Sequence, residues 1–243
     1  MTQALDIHGS GIAPTDLQLR GVAPGLRLAD FRLIAFDMDS TLINIETLDE
    51  VAEAAGCKAE MVAITEAAMR GDISDYKASL RQRVALLRGV PLSALQDVYE
   101  QKLRLNPGVE TLIAACKRAG LRCILLSGGF TFFTDRLQQR LGLGDTRSNV
   151  LEIEGGRLTG RMLPQPWGDI CDGEQKKIKL LECCDALGIT PAQAIAVGDG
   201  ANDLPMLQAA GLSVAYHAKP VVRQQAMVAI NEGGLDRLLE VLR

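Results

Sequence analysis

Short apolar runs that end in polar residues recur along this chain. The first, residues 33–36 (Leu-Ile-Ala-Phe), stops at Asp37 and Asp39. The second, residues 122–126, leads into Ser127-Gly-Gly, and the third, residues 194–197, into Gly198-Asp199. Brief apolar runs bounded by polar residues are typical of strands buried on both faces of a parallel sheet. The pattern therefore predicts three core strands whose carboxyl ends carry polar groups.

A change to helical spacing follows the first of these runs. Residues 46–105 are rich in Ala, Leu, Glu and Arg, have apolar positions at helical intervals, and show no strand pattern. From residue 106 onward, helical segments alternate with apolar runs, and Gly155-Gly156 lies between two alternating segments that predict a hairpin.

These patterns predict an α/β fold: a doubly wound parallel (Rossmann-like) sheet with a helical cap inserted after the first core strand. The predicted domains are an irregular N-terminal extension at 1–30, an α/β core at 31–45 and 106–243, and a helical cap at 46–105.

Composition excludes several classes of protein. The formal net charge of −4 and an aromatic content of 4% argue against nucleic-acid or anionic-membrane partners. The six cysteines form no Cys-x-x-Cys pair and there are two histidines, so a zinc site is disfavoured and free thiols are expected. Neither a signal-peptide pattern nor an apolar stretch of membrane-spanning length is evident, which predicts a cytoplasmic protein.

Carboxylates dominate the predicted strand ends. In open parallel sheets, ligands bind beyond the carboxyl ends of the strands, so Asp37, Asp39 and Asp199 would meet in one crevice. Oxygen ligands without His or Cys suit Mg²⁺. Asp37 could act as a nucleophile that needs no activating base, and Asp39 as a proton donor and acceptor. A lone Asp at a strand end is commonly only a turn cap, but a pair of acids with a third acid on another strand indicates a catalytic or metal-binding role.

Two further segments offer phosphate-binding groups. Ser127-Gly-Gly presents a hydroxyl and accessible backbone N–H groups before a predicted helix. Lys176 lies near a predicted helix start, where the helix dipole disfavours a cation, although with Lys177 and Lys179 beside it a solvated helix face remains an alternative. The segment Gly198–Asp203 has an acid where a dinucleotide-binding loop needs its third glycine, so nucleotide binding is disfavoured.

Taken together, these motifs resemble those of the haloacid dehalogenase superfamily, and within it the family of phosphoserine phosphatases. The resemblance covers roughly residues 30 to 230. It is carried by four ordered motifs: Asp37-Met-Asp39-Ser-Thr41, Ser127-Gly-Gly-Phe130, Lys176, and Gly198-Asp199-Gly-Ala-Asn202-Asp203.

The resemblance implies a role for each matching residue. Asp37 would form an aspartyl-phosphate, Asp39 would be the general acid/base, and Asp199 would complete the protein ligands of Mg²⁺ together with Asp37 and the Asp39 carbonyl. The remaining implied site residues are the phosphoryl-binding Ser127, Gly128 and Lys176, the substrate contact Asn202, the loop-supporting Asp203, and, in the cap, Glu46 for a substrate ammonium and Arg83 for a substrate carboxylate.

The implied activity is Mg²⁺-dependent hydrolysis of O-phospho-L-serine, a small phosphomonoester, to serine and phosphate in serine biosynthesis. Alternatives are a phosphotransferase to an acceptor alcohol such as homoserine, a phosphatase of another phosphomonoester, and a non-catalytic phospho-ligand sensor, which would not need Asp39. The Met69–Tyr76 spacing is one residue longer than the family pattern, Tyr76 replaces a Phe, and Lys177 is an alternative to Lys176. No pattern indicates an oligomeric state.

Overall fold

The computed structural model describes residues 16–70 and 75–242, with side chains for all of these except residues 68–70. The Met69 side chain and the first fifteen residues of the predicted extension therefore lie outside the described residues. Within the described part of the chain, no helix has both the length and the apolar character needed to cross a membrane.

A central sheet of eight strands, in the order β1-β8-β7-β6-β2-β3-β4-β5, organises the molecule. The pairs from β8 through β7, β6, β2 and β3 to β4 are parallel, and the outermost pairs, β1–β8 and β4–β5, are antiparallel. The strands are β1 (Leu17–Leu19), β2 (Leu33–Phe36), β3 (Arg122–Phe130), β4 (Asp145–Glu154), β5 (Arg157–Leu163), β6 (Ala194–Gly198), β7 (Leu212–Tyr216) and β8 (Val228–Ile230).

Helices cover both faces of this sheet. They are α1 (Thr47–Ala54), α2 (Lys58–Arg70), α3 (Tyr76–Ala85), α4 (Leu92–Asp97), α5 (Val109–Arg118), α6 (Thr131–Leu141), α7 (Gly173–Ala186), α8 (Leu204–Ala209), α9 (Pro220–Gln225) and α10 (Leu238–Val241). Alternate residues of β2 enter different cores: Leu33 and Ala35 pack in the cluster that holds Leu180 of α7, and Ile34 and Phe36 in the cluster that holds Phe133 of α6. The predicted α/β class with a parallel sheet is confirmed.

The three apolar runs form neighbouring strands. β2 pairs in parallel with β3 on one side and with β6 on the other, so its carboxyl end lies between theirs. All four β2 residues are fully buried, which accounts for an uninterrupted apolar run. The carboxyl ends of the three strands therefore lie side by side, as predicted.

Some elements differ from the sequence-based expectation. β3 continues to Phe130 rather than ending at Leu126, with a register irregularity between these two residues that accommodates the glycines. β1 lies within the segment expected to be irregular, and it pairs with β8, which was also not predicted. Each has three residues, too few for a periodic pattern to be visible.

Helices and the turns between them make up most of the described part of residues 46–105, as the helical spacing predicted. Helices α1 to α4 and a π-helical turn at Val98–Lys102 form this block, and no strand of the sheet comes from its described residues. Among the contacts that join the block to the rest of the chain are an isolated bridge between Ile43 and Leu105 and backbone hydrogen bonds between residues 89–92 and the β4–β5 hairpin. The block consequently lies beside the carboxyl ends of the central strands.

Candidate active site

Asp37 stands at the point where β2 leaves the sheet. Its backbone N–H donates to the Val197 carbonyl of β6 (2.9 Å), and the residue is 5% exposed. The following turn, Met38–Leu42, contains Ser40 with a φ of +54°, a left-handed conformation that is uncommon for serine. This turn brings the Asp39 carboxylate to a cavity that Asp37 also lines. Oδ1 of Asp39 accepts a hydrogen bond from the Thr47 N–H (2.9 Å).

A cavity of about 750 Å³ lies between the strand ends and the helical block. The predicted site residues that line it are Asp37, Asp39, Glu46, Arg83, Gly128, Asp199 and Asn202. The other three, Ser127, Lys176 and Asp203, are fully buried and do not form its wall. Ser127 supports the glycine segment, because its Oγ accepts a hydrogen bond from the Gly129 N–H (2.8 Å).

Lys176 connects two of the buried acids. Its Nζ donates to Oδ1 of Asp37 (2.6 Å) and to Oδ1 of Asp203 (2.7 Å). It is carried on the first turn of α7, which Asp172 caps by accepting from the Gln175 N–H (2.9 Å). Lys177 instead is partly exposed and pairs with Glu174 (3.0 Å). Of the two lysines that the sequence left open, Lys176 is therefore the one that reaches Asp37.

The loop after β6 is held by Asp203. Its Oδ2 accepts hydrogen bonds from the backbone N–H groups of Asp199 (3.1 Å) and Gly200 (3.0 Å). A Cβ on Gly198 would lie 2.5 Å from the Asp203 carboxyl carbon, so the close approach requires glycine there. Asp199 itself accepts from the Thr41 hydroxyl at Oδ1 (3.2 Å). The glycines and acids of this segment thus form one rigid turn that presents Asp199 to the cavity.

Burial and neighbouring charges shift the pKa values of both Asp37 and Lys176. Burial, followed by the charge of Asp203, raises the pKa of Asp37 well above its usual range, and Lys176 opposes that rise. For Lys176, burial lowers the pKa, but the charges of Asp203 and Asp37 outweigh it, so that the pKa is raised. The lysine therefore remains a cation in contact with Asp37.

The other two acids are shifted in the same direction. Burial and the charge of Glu46 raise the pKa of Asp39 to about 7, with the Thr47 hydrogen bond opposing the shift. Burial and the charge of Asp203 raise the pKa of Asp199 to about 7. A pKa near 7 suits a group that must both give and take a proton, which is the predicted role of Asp39.

These residues fit a hard divalent cation. One carboxylate oxygen from each of Asp37, Asp199 and Asp203 lies within 4.8 Å of the others, and oxygen-only ligand sets suit Mg²⁺. Both Asp203 oxygens already accept hydrogen bonds, so this residue supports the site while Asp37 and Asp199 face the cavity. The Asp39 carboxylate accepts a hydrogen bond from the Thr47 N–H, and the backbone carbonyl of Asp39 as a metal ligand stays a prediction.

The wall contributed by the helical block carries charges of both signs. Oε1 of Glu46 accepts a hydrogen bond from the Ser40 hydroxyl (2.6 Å), which fixes the carboxylate at the cavity edge. Arg83 projects from α3, and its buried Nε has no hydrogen-bond partner among the described residues. A buried donor without an acceptor is costly, so the position favours an anionic ligand.

Sequence reasoning did not identify Ser40 and Thr47, which hold Glu46 and Asp39 respectively. The first lies inside the acidic motif, and the second directly follows Glu46. No residue pattern marks either role, because both depend on how the Met38–Leu42 turn folds back toward the start of α1.

The sequence profile of the haloacid dehalogenase-like hydrolases matches residues 34–208, and the chain belongs to this family. It is 70% identical over 220 residues to a phosphoserine phosphatase of Polaromonas sp., covering 90% of this chain and 93% of the relative. It is 64% identical over 237 residues to a phosphoserine phosphatase of Albidiferax ferrireducens, covering 98% of this chain and 100% of the relative. The phospho-aspartyl intermediate analogue of a phosphoserine phosphatase is a structural neighbour with a TM-score of 0.79 and 34% identity, covering 88% of this chain and 99% of that one.

Proposed function

We propose that the protein is a phosphoserine phosphatase that hydrolyses O-phospho-L-serine to L-serine and phosphate and serves serine biosynthesis in the cytoplasm. The observation that carries the proposal is the composition of one cavity. The Asp37 carboxylate, paired with Lys176, faces it from the sheet, and Glu46 and Arg83, whose buried Nε has no partner among the described residues, line it from the helical block. The similarity to named phosphoserine phosphatases over nearly the whole chain supports the same substrate.

In the first half-reaction, an oxygen of Asp37 attacks phosphorus while the bond from phosphorus to the seryl oxygen breaks. Asp39, whose pKa of about 7 allows it to carry a proton near neutral pH, gives that proton to the departing seryl oxygen. Lys176 keeps Asp37 oriented and adds positive charge where the phosphoryl oxygens gather. Most of the rate enhancement would come from positioning and charge stabilisation, as is general for phosphoryl transfer.

In the second half-reaction, Asp39 has become a carboxylate and takes a proton from a water molecule. The resulting hydroxide attacks phosphorus and breaks its bond to the Asp37 oxygen, which releases phosphate and restores the carboxylate. The Thr47 N–H holds Asp39 in one orientation for both proton transfers. The same group thus acts first as acid and then as base.

Mg²⁺ is the proposed cofactor, held by Asp37, Asp199 and the carbonyl of Asp39. When bound, it neutralises phosphoryl charge and relieves the repulsion among the clustered acids. Ser127 and the N–H group of Gly128 complete the proposed phosphoryl site, and the Gly129 N–H holds the Ser127 hydroxyl oxygen. Asn202, which lines the cavity beside Asp199, is a proposed substrate contact.

The helical block is proposed to act as a cap domain, residues 46–105, over the core formed by 31–45 and 106–243. It would exclude bulk water while the aspartyl-phosphate forms and supply the residues that recognise serine. Glu46 would bind the substrate ammonium and Arg83 its carboxylate, since a guanidinium matches a carboxylate with two parallel hydrogen bonds.

A panel of phosphomonoesters, assayed with Mg²⁺ and with a chelator, tests this function. We expect the highest kcat/KM for O-phospho-L-serine and loss of turnover when the metal is removed. Adding acceptor alcohols such as homoserine should leave the rate of phosphate release unchanged. A clear preference for another ester, or transfer of the phosphoryl group to an acceptor in place of water, would contradict the proposal.

Substitutions in the cap should separate recognition from chemistry. We expect Glu46→Gln and Arg83→Ala each to lower kcat/KM for phosphoserine about 10²-fold, because each leaves a charged substrate group without its partner. Turnover of an aryl phosphate, which lacks both groups, should change less than about threefold. The matched control is Arg88→Ala, which removes an exposed cap arginine that does not line the cavity. Equal losses on both substrates would show that these residues do not read serine.

A further inference from the structure

Tyr76, the first residue of α3, reaches across the cavity to the glycine segment after β3. Its hydroxyl lies so close to Gly128 that a Cβ on this glycine would overlap with the phenolic oxygen. The next nearest atoms to that Cβ would be Cζ of the same ring at 3.3 Å and the Cys171 carbonyl oxygen at 3.6 Å. Apart from Tyr76, an alanine at position 128 would meet only ordinary contacts.

The hydroxyl of Tyr76 is a hydrogen-bond donor without an acceptor in the described part of the chain. No hydrogen bond from it to another described residue is formed, although the ring packs against the core and lines the cavity. Burial raises the pKa of Tyr76 above its ordinary value, against the opposing charges of Lys176 and Arg83, so the group keeps its proton. A tyrosine that is apolar at its ring and polar at its tip normally places its O–H against an acceptor.

We propose that the Tyr76 hydroxyl donates a hydrogen bond to a phosphoryl oxygen of the bound substrate, as a binding residue that the helical block adds to the phosphoryl site. The inference rests on the proposed function and deepens it. It names the helical block as a contributor to phosphate binding, beyond the recognition of serine assigned to Glu46 and Arg83.

The location of the hydroxyl favours the phosphoryl group over the substrate carboxylate. It lies over Gly128, which belongs to the Ser127-Gly-Gly segment that is proposed to bind the phosphoryl group. A phosphoryl dianion and a carboxylate both offer only acceptors to a hydroxyl that donates, so the location over Gly128 is what favours the phosphoryl group.

Tyr76→Phe tests this inference, because it keeps the ring and removes one oxygen. We expect kcat/KM for phosphoserine and for an aryl phosphate to fall by similar factors, about tenfold, as for one hydrogen bond to a charged group. The inhibition constant of inorganic phosphate should rise by about the same factor. Tyr99→Phe is the matched control, since Tyr99 lies in the same helical block and does not line the cavity.

Unchanged kinetics in Tyr76→Phe would overturn the inference. A loss confined to phosphoserine, with the inhibition constant of phosphate unchanged, would also overturn it and assign the hydroxyl to the substrate carboxylate. Because the aryl phosphate and inorganic phosphate measurements do not depend on serine recognition, they decide the role of Tyr76 even if phosphoserine is not the preferred substrate.

A second variant tests the contact itself. Gly128→Ala keeps the backbone N–H but displaces the hydroxyl, so it should lose what Tyr76→Phe loses, and the double variant should lose no more than either single one. If the activity losses of the two single variants multiplied in the double variant, the two substitutions would not act through the same hydrogen bond, and the inference would be contradicted.

Discussion

Replacing Asp37 by Asn is expected to lower kcat by at least about 10⁴-fold, since the amide cannot form the acyl phosphate through which the reaction passes. The loss should be the same for phosphoserine and for an aryl phosphate, because the nucleophile serves every substrate. Phosphate release under substrate saturation measures it. Turnover near the wild-type rate would exclude Asp37 as the nucleophile.

The Asp37→Asn protein is expected to fold. The side chain keeps its shape, and the charge that it loses is one that burial and the neighbouring Asp203 already disfavour. Lys176 retains its contact with Asp203 (2.7 Å). A thermal unfolding midpoint close to that of the wild type would therefore accompany the loss of activity, and would separate a chemical effect from unfolding.

Replacing Lys176 by Met is expected to reduce both activity and stability. The variant leaves Asp37 and Asp203 buried without their shared cation, a change that typically costs about 3–5 kcal/mol of unfolding free energy. Loss of the charge next to Asp37 should lower kcat by about 10²–10³-fold. Denaturant titration and initial rates measure the two effects.

The destabilisation should depend on pH. Lys176 lowers the pKa values of Asp37, Asp39 and Asp199, of which the last two stand at about 7, so without the lysine all three rise further above their unfolded values. A group whose pKa is raised by folding stabilises the folded state at low pH and loses that contribution as the pH rises through the folded pKa. The stability of Lys176→Met relative to the wild type is therefore expected to be lower at pH 8 than at pH 5.

Lys177→Met is the matched control for this experiment. Lys177 is partly exposed and, among the described residues, pairs with Glu174 one turn earlier, so its removal should change the unfolding free energy by less than about 0.5 kcal/mol and leave kcat unchanged. If Lys177→Met lost activity and Lys176→Met did not, the assignment of the phosphoryl-site lysine would be reversed.

Elements buried on both faces could be predicted from the sequence because their burial leaves a continuous apolar record. β2, β6 and most of β3 are of this kind, and their polar ends located the site. β4 was only partly predicted, since its first half carries buried polar residues such as Arg147 and Asn149. Those side chains pair with Glu182 (2.7 Å) and with the Gly128 carbonyl (2.7 Å), which only the folded chain brings near.

The site residues likewise fall into those that the sequence could predict and those that it could not. Asp37, Asp39 and Asp199 could be predicted because several acids at buried strand ends have no simple structural explanation. Glu46 and Arg83 came from resemblance alone, because an acid and an arginine in helical segments look like ordinary surface residues in a single sequence. The hydroxyl contact of Tyr76 with Gly128 depends on how the helical block meets the sheet, which no local pattern encodes.

The most direct test of the account is to trap the phosphorylated enzyme. The protein, with Mg²⁺, would be mixed briefly with O-phospho-L-serine carrying ³²P, quenched in acid and digested. The account predicts a hydroxylamine-sensitive label on the peptide that contains Asp37, and none in Asp37→Asn. Hydrolysis of phosphoserine without any such label, or with the label on another residue, would contradict it.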